Sequence, residues 1–143
     1  MSAKMAKDIL LVEDNPDDAE LTRIAFAEAG IDFRLHVVGD GVQALGYLRG
    51  CSTSELPSLV LLDLNLPKLN GREVLEAIRA DPATRHLPVV VLTTSAEPSD
   101  VDTVYELGAN SYIRKPVDFE RFVEVVRQIG LYWLALNQPP GKA

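Results

Sequence analysis

The chain has one cysteine, Cys51, among its 143 residues. A single thiol closes no intrachain disulfide, so the composition does not ask for an oxidising compartment. Cys51 falls in the Ser/Thr-rich stretch "CSTSELPS" and reads as an exposed loop thiol. Long hydrophobic runs are missing as well. The opening "MSAKMAKDILLVED" lacks the extended apolar core of a signal peptide, and no run is long enough to span a bilayer. A cytoplasmic protein is the expectation. Blocks of like charge are also absent, and the formal charge is −7. An acidic chain without basic clusters argues against sequence-independent nucleic-acid binding and against docking on anionic membranes. No linker breaks the pattern. Residues 1–143 read as one domain with a core from about 8 to 136, a polar, loose tail over 137–143 and no output domain.

What is present is a regular alternation. Hydrophobic residues make up 47 %, enough for a sizeable core. Strand-like runs occur at "DILLV", "DFRLHVVG", "LVLLD", "LPVVVLTT" and "SYIRKP". Each is followed by a helical pattern. The first helix has Asn15 as cap, Pro16 at its first position, Leu21, Ile24, Ala25 and Ala29 at helical spacing, and Gly30 as stop. The second carries Val42, Leu45 and Leu48 on one face, the third ends at Asp81-Pro82, and the fourth, "EPSDVDTVYELGA", has Pro98 near its start and Gly108 as its stop. The last is long, "DFERFVEVVRQIGLYWLAL". Three strands are apolar throughout, as in a parallel sheet covered on both faces. Five strand-helix units predict a doubly wound, five-stranded α/β fold.

Such folds place functional residues at the carboxyl ends of strands. Those ends hold Glu13-Asp14, Asp63, Thr93-Thr94-Ser95 and Lys115-Pro116. Three acids, hydroxyls and a lysine therefore meet at one crevice. Neighbouring carboxylates repel unless a cation joins them, and magnesium accepts carboxylate, water and phosphate oxygens. A lysine can meet a phosphate as a point charge, and a hydroxyl can donate to another phosphate oxygen. The pattern predicts a phosphoryl group carried on, or passed to, a carboxylate.

The motifs "LLVEDN", "LLDLNLPKLNG", "VVVLTTS" and "YIRKP", with their spacing, resemble those of the receiver domain of two-component response regulators, from Asp8 to Gln128. The resemblance implies the flavodoxin-like strand order 2-1-3-4-5. It implies Asp63 as phosphoacceptor, fed by a histidine kinase, and Mg2+ held by Asp14, Asp63 and the backbone carbonyl of Asn65, with Glu13 acting through a water. Lys115 and Thr93 would contact the phosphoryl group, Thr93 and Tyr112 would switch, and the Lys115–Pro116 bond would be cis. Asn65 and Ser95 occupy positions that tune hydrolysis in the family. Pro67 and Gly71 would shape the acceptor loop. The receiver would catalyse its own phosphorylation and dephosphorylation and act otherwise as a signalling module. "DNPDDAEL", "VLTTS" and "YWLALNQPP" further resemble the small regulators paired with bacterial and cyanobacterial phytochromes, which implies a light-sensing kinase as partner.

The last helix needs one face for the core, supplied by Phe119, Phe122, Val126 and Ile129. Beyond Gly130, "LYWLAL" is apolar all round, and Leu131, Tyr132, Trp133, Leu134 and Leu136 are the expected interface of a homodimer. The alternative is that this turn folds back on its own domain. A haloacid-dehalogenase-type phosphatase would also use a strand-end aspartate and magnesium, but needs a second aspartate where Asn65 stands. A flavin module would need a phosphate-cradling loop where "EDNPDD" is anionic.

Overall fold

Leucine, isoleucine and valine crowd four short stretches that form strands, β1 (Lys7–Val12), β2 (Phe33–Val38), β3 (Leu59–Leu62) and β4 (Val89–Thr93), and a fifth strand, β5 (Ser111–Arg114), carries Tyr112 and Ile113. Helices follow them: α1 (Pro16–Glu28), α2 (Gly41–Arg49), α3 (Gly71–Ala80), α4 (Pro98–Glu106) and α5 (Phe119–Gly130). The computed structural model describes residues 7–64, 66–93, 98–115 and 118–136, without the side chains of Pro98, Ser99, Ala135 and Leu136. The strands are all parallel, in the order β2-β1-β3-β4-β5. This is the doubly wound, flavodoxin-like arrangement that the alternation and motifs predict.

Side chains alternate between the faces of a strand, and here both faces are covered. Ile9, Leu11, Leu59, Leu61, Val90 and Leu92 pack with Phe26 of α1 and with Phe122, Val126 and Ile129 of α5. Leu10, Val12, Val60, Leu62, Val89 and Val91 pack with Ala44 and Leu48 of α2, Val74, Leu75 and Ile78 of α3, and Val104 of α4. Double coverage is why β3 and β4 read as unbroken apolar runs: every residue in them is buried. The chain leaves β1 toward β2 on one side and returns to β3 on the other, which opens a crevice at the carboxyl ends of β1 and β3.

Polar caps start the helices, at Asn15 as the sequence predicts and at Asp40 and Asn70 besides. The Asn15 side chain accepts the N–H groups of Asp17 and Asp18, Asp40 accepts that of Gln43, and Asn70 forms a reciprocal capping box with Glu73. The buried faces differ in part from the spacing argument. Helix α1 buries Ala19, Thr22, Ala25 and Phe26, while Leu21 and Ile24 are exposed. Helix α2 buries Gly41, Ala44 and Leu48, with Val42 at 57 % exposure. Phe119 is exposed at the first position of α5. Small residues allow close approach to the sheet, so the bulkier ones at these spacings are left at the margin. Cys51 is half-buried rather than exposed, and its thiol donates to the Tyr47 carbonyl.

After α5 the chain winds into a π-helical turn, Leu131–Leu136. Leu134 is buried in the domain's own core, and Trp133 is half-buried against the same cluster. Leu131 and Tyr132 remain about half exposed, at 53 % and 50 %. The stretch read as apolar all round thus folds back with two of its side chains and presents two others. Tyr132 and Trp133 meet edge to face, ring centroids 4.8 Å apart. The side chain of Leu136 and the tail over 137–143 lie outside the described residues. Among the described residues, no helix is long and apolar enough to cross a membrane.

Candidate phosphoacceptor site

Four strand ends converge on Asp63. Its N–H donates to the Val12 carbonyl at 3.1 Å, which seats it against the end of β1. The reach of α3 back to this point explains Gly71: a Cβ there would collide with the carbonyl oxygen of Asp63. Thr93, the last residue of β4, is fully buried and donates its hydroxyl to Asp63 Oδ1 at 3.0 Å. Lys115, just past β5, donates to Glu13 Oε1 at 2.7 Å. Its ammonium also lies 3.9 Å from Asp63 Oδ2 and 3.6 Å from Asp18 Oδ2. Glu13, Asp14 and Asp63 each offer an oxygen within 4.8 Å of the others. Glu13 is buried, Asp63 half-buried and Asp14 exposed.

The electrostatics follow from burial and charge. Burial is the foremost cause that pushes the Glu13 carboxyl above its ordinary range, and the Asp63 charge adds to it. The Lys115 hydrogen bond and charge act the other way. Burial by itself would lower the Lys115 ammonium. The Glu13 hydrogen bond, with the charges of Glu13, Asp63 and Asp18, outweighs it and holds the lysine above its usual value. Lys115 therefore stays charged beside three acids. An acidic pocket of hard oxygen donors, open to water at Asp14, fits a hard divalent cation.

The structure thus brings together Glu13, Asp14, Asp63, Thr93 and Lys115. Tyr112, on β5, is half-buried against the cluster beneath α2, α3 and α4, and its N–H donates to the Tyr105 hydroxyl at 3.1 Å. Asn65, Thr94, Ser95 and Pro116, hence the backbone ligand and the cis bond, lie outside the described residues. Two neighbours were missed in the sequence. Asp18 lies in the first turn of α1, three residues after the cap Asn15, and an acid so close behind the acidic end of β1 is a signal that could have found it. Asp40 is a buried carboxylate whose Oδ2 lies 3.6 Å from Lys68 Nζ, and Lys68 has a left-handed φ of 66° in the loop after Asp63. No local pattern marks that pair.

The fold, and acids of β1 and β3 that meet a hydroxyl of β4 and a lysine of β5, define a receiver domain, and residues 9–127 match the family model described as "Response regulator receiver domain". The chain belongs to that family, the phosphoryl-accepting side of two-component signalling. It is 41 % identical over 131 residues to "Response regulator Rcp1" of Synechocystis, covering 90 % of this chain and 89 % of that protein. It is 46 % identical over 138 residues to "Probable methanogenesis regulatory protein FilR2" of Methanothrix harundinacea, covering 94 % and 88 %. Among solved structures, the phosphorylated cyanobacterial phytochrome response regulator RcpA superposes with a TM-score of 0.88 at 39 % identity, covering 96 % of this chain and all of that one. Rcp1 has also been solved in a Mn(2+)-bound form, which superposes at 0.83 with 40 % identity and covers 94 % and 99 %. A haloacid-dehalogenase-type phosphatase finds no support in these likenesses.

Proposed function

We propose that this protein takes a phosphoryl group from a histidine kinase of the phytochrome class onto Asp63 and passes the signal on through its surface. One observation carries the reading: the Asp63 carboxylate has the Thr93 hydroxyl at 3.0 Å, the Lys115 ammonium at 3.9 Å and two further acids beside it. An oxygen of Asp63 attacks the phosphorus of the kinase phosphohistidine, and the P–N bond breaks toward the imidazole. Lys115 balances charge on the phosphoryl oxygens, and Thr93 donates to one of them. Asp14, Asp63 and the Asn65 carbonyl would hold Mg2+, with Glu13 reaching it through a water. When bound, the ion neutralises charge on the transferring group. Tyr112 turns inward as Thr93 moves, which alters the surface of α4, β5 and α5. Water later hydrolyses the acyl phosphate in the protein's own site. The phytochrome partner is supported by the likeness to RcpA, and a cytoplasmic location suits such a partner.

The test is phosphotransfer. Wild-type protein mixed with a labelled bacterial phytochrome kinase and magnesium should take up acid-stable, base-labile label. Asp63→Asn should take none while keeping the wild-type melting curve, because an amide is no comparable nucleophile. Label on Asp63→Asn at the wild-type level would refute the assignment.

A further inference from the structure

Three carboxylates surround the Lys115 ammonium, and one of them stands outside the acid cluster. Glu13 and Asp63 belong to the group that can hold a cation together with Asp14. Asp18 comes from the first turn of α1 and is not among the residues of that group. Its position is built. Asn15 Oδ1 accepts the Asp18 N–H at 3.2 Å, and the Thr22 hydroxyl donates to the Asp18 carbonyl at 2.9 Å. A small cleft of about 60 Å³, lined by Asp18, Leu21, Thr22, Phe122 and Lys115, runs between α1 and α5 down to the lysine. The ammonium lies nearer to Asp18, at 3.6 Å, than to Asp63, at 3.9 Å.

We propose that Asp18 is a positioning residue that draws Lys115 toward α1 and so restrains phosphoryl transfer to Asp63. The inference rests on Asp63 being the phosphoacceptor. With acetyl phosphate as donor, an Asp63 oxygen forms a bond to phosphorus, the bond from phosphorus to the acetyl oxygen breaks, and acetate leaves with the electron pair. Lys115 must face the phosphoryl oxygens in that step. An anion 3.6 Å from its nitrogen offsets part of its charge and holds it on the other side. The Asp18 side chain is 40 % exposed, so water screens the effect and keeps it modest.

The experiment measures uptake of label from radiolabelled acetyl phosphate, with magnesium, by the full chain. Asp18→Asn should be labelled about two- to fivefold faster than wild type. Asp18→Glu, which keeps the charge, should stay within about twofold of wild type, on the same grounds. Asp17→Asn removes one charge from the adjacent, exposed residue and should leave the rate unchanged. In a Lys115→Ala background Asp18→Asn should add nothing, an outcome that a purely structural role for Asp18 would not give. Thermal melting checks that each variant is folded. A wild type that takes no label, or an Asp63→Asn that takes as much, would sink the phosphoacceptor reading itself. A labelled wild type with Asp18→Asn equal or slower, or with the same acceleration in the absence of Lys115, would overturn the role of Asp18 alone.

Discussion

Glu13 and Lys115 form the most enclosed ion pair at the crevice, with side chains 3 % and 11 % exposed and a separation of 2.7 Å. Taking two charges out of water is costly, and their attraction offsets that only while both are present. Removing one leaves the other buried and uncompensated. Lys115→Met should therefore lower unfolding stability by about 3 kcal/mol at neutral pH, read from urea melts without metal. The sign of the pH dependence is set by Glu13. Its folded carboxyl already sits above the ordinary 4.5 because of burial, and losing Lys115 raises it further. The folded state then binds a proton that the unfolded state gives up, so the deficit should shrink as pH falls toward 5 and grow as pH rises. A deficit that is independent of pH would mean that Glu13 is not the group left exposed to the loss. Two residues along the same strand end, Asn15 and Pro16 carry no charge but decide where α1 begins, and hence where Asp18 stands.

At the scale of elements, the joints away from the crevice are held by one arginine. Arg79, near the end of α3, donates from Nε to the Gly108 carbonyl at 2.9 Å. Nη1 donates to the carbonyls of Arg85 and Leu87, at 3.0 and 2.8 Å. Nη2 donates to Asn110 Oδ1 at 2.9 Å, and the same oxygen accepts the Val89 N–H at 2.8 Å. One planar fork thus ties α3, the start of β4 and the loop between α4 and β5. Lysine cannot reproduce that geometry. Arg79→Lys should cost about 2 kcal/mol, because the partly buried carbonyls of Gly108 and Leu87 lose their donor, and Asn110→Ala should cost about 1–2 kcal/mol for the lost β4 and Arg79 contacts. The two losses should be less than additive in a double-mutant cycle, since they share a bond. Additive losses would show that the fork is not one unit. Near the other end of α4, Arg72 of α3 pairs with Asp100, so α3 holds α4 close to its start and just past its end.

At the scale of the molecule, the open question is what meets the surface beside the π-helical turn. An open groove lined by Ser111, Ile113, Val125, Ile129, Tyr132 and Trp133 runs along β5 and the end of α5. Leu131 and Tyr132 stand exposed next to it. A homodimer remains our proposal, now centred on Leu131 and Tyr132 with Trp133 at the margin. A two-fold contact would cover both copies with one self-complementary patch. Light scattering at micromolar concentration should give a dimer, and Tyr132→Glu should give a folded monomer with the wild-type melting curve at low concentration. A monomeric wild type, with or without phosphoryl donor, ends the proposal. Tyr132 is the better probe than Trp133, because glutamate at the half-buried tryptophan would also disturb the core.

Read as letters alone, this protein already declares its strand-helix alternation, the cap at Asn15, and the acids, threonine and lysine at the strand ends. Those features are written in short stretches: an unbroken apolar run reads as a strand without its partners being known, and a cap or a strand-end acid is marked by its immediate neighbours. Gly71, the glycine that opens α3, was visible too, although only the approach of α3 to the Asp63 carbonyl explains it. What the letters could not decide is which side of each helix wins the core. Leu21, Ile24 and Val42 obey helical spacing and yet stay exposed, because Ala25, Phe26 and Ala44 fit the sheet more closely. The same holds for Leu134, which the spacing of "LYWLAL" could assign to a partner or to its own domain, and which a π-helical turn carries inward. Long-range pairs such as Asp18 with Lys115 and Asp40 with Lys68 depend on how whole elements sit on the sheet, and only packing brings them within 4 Å.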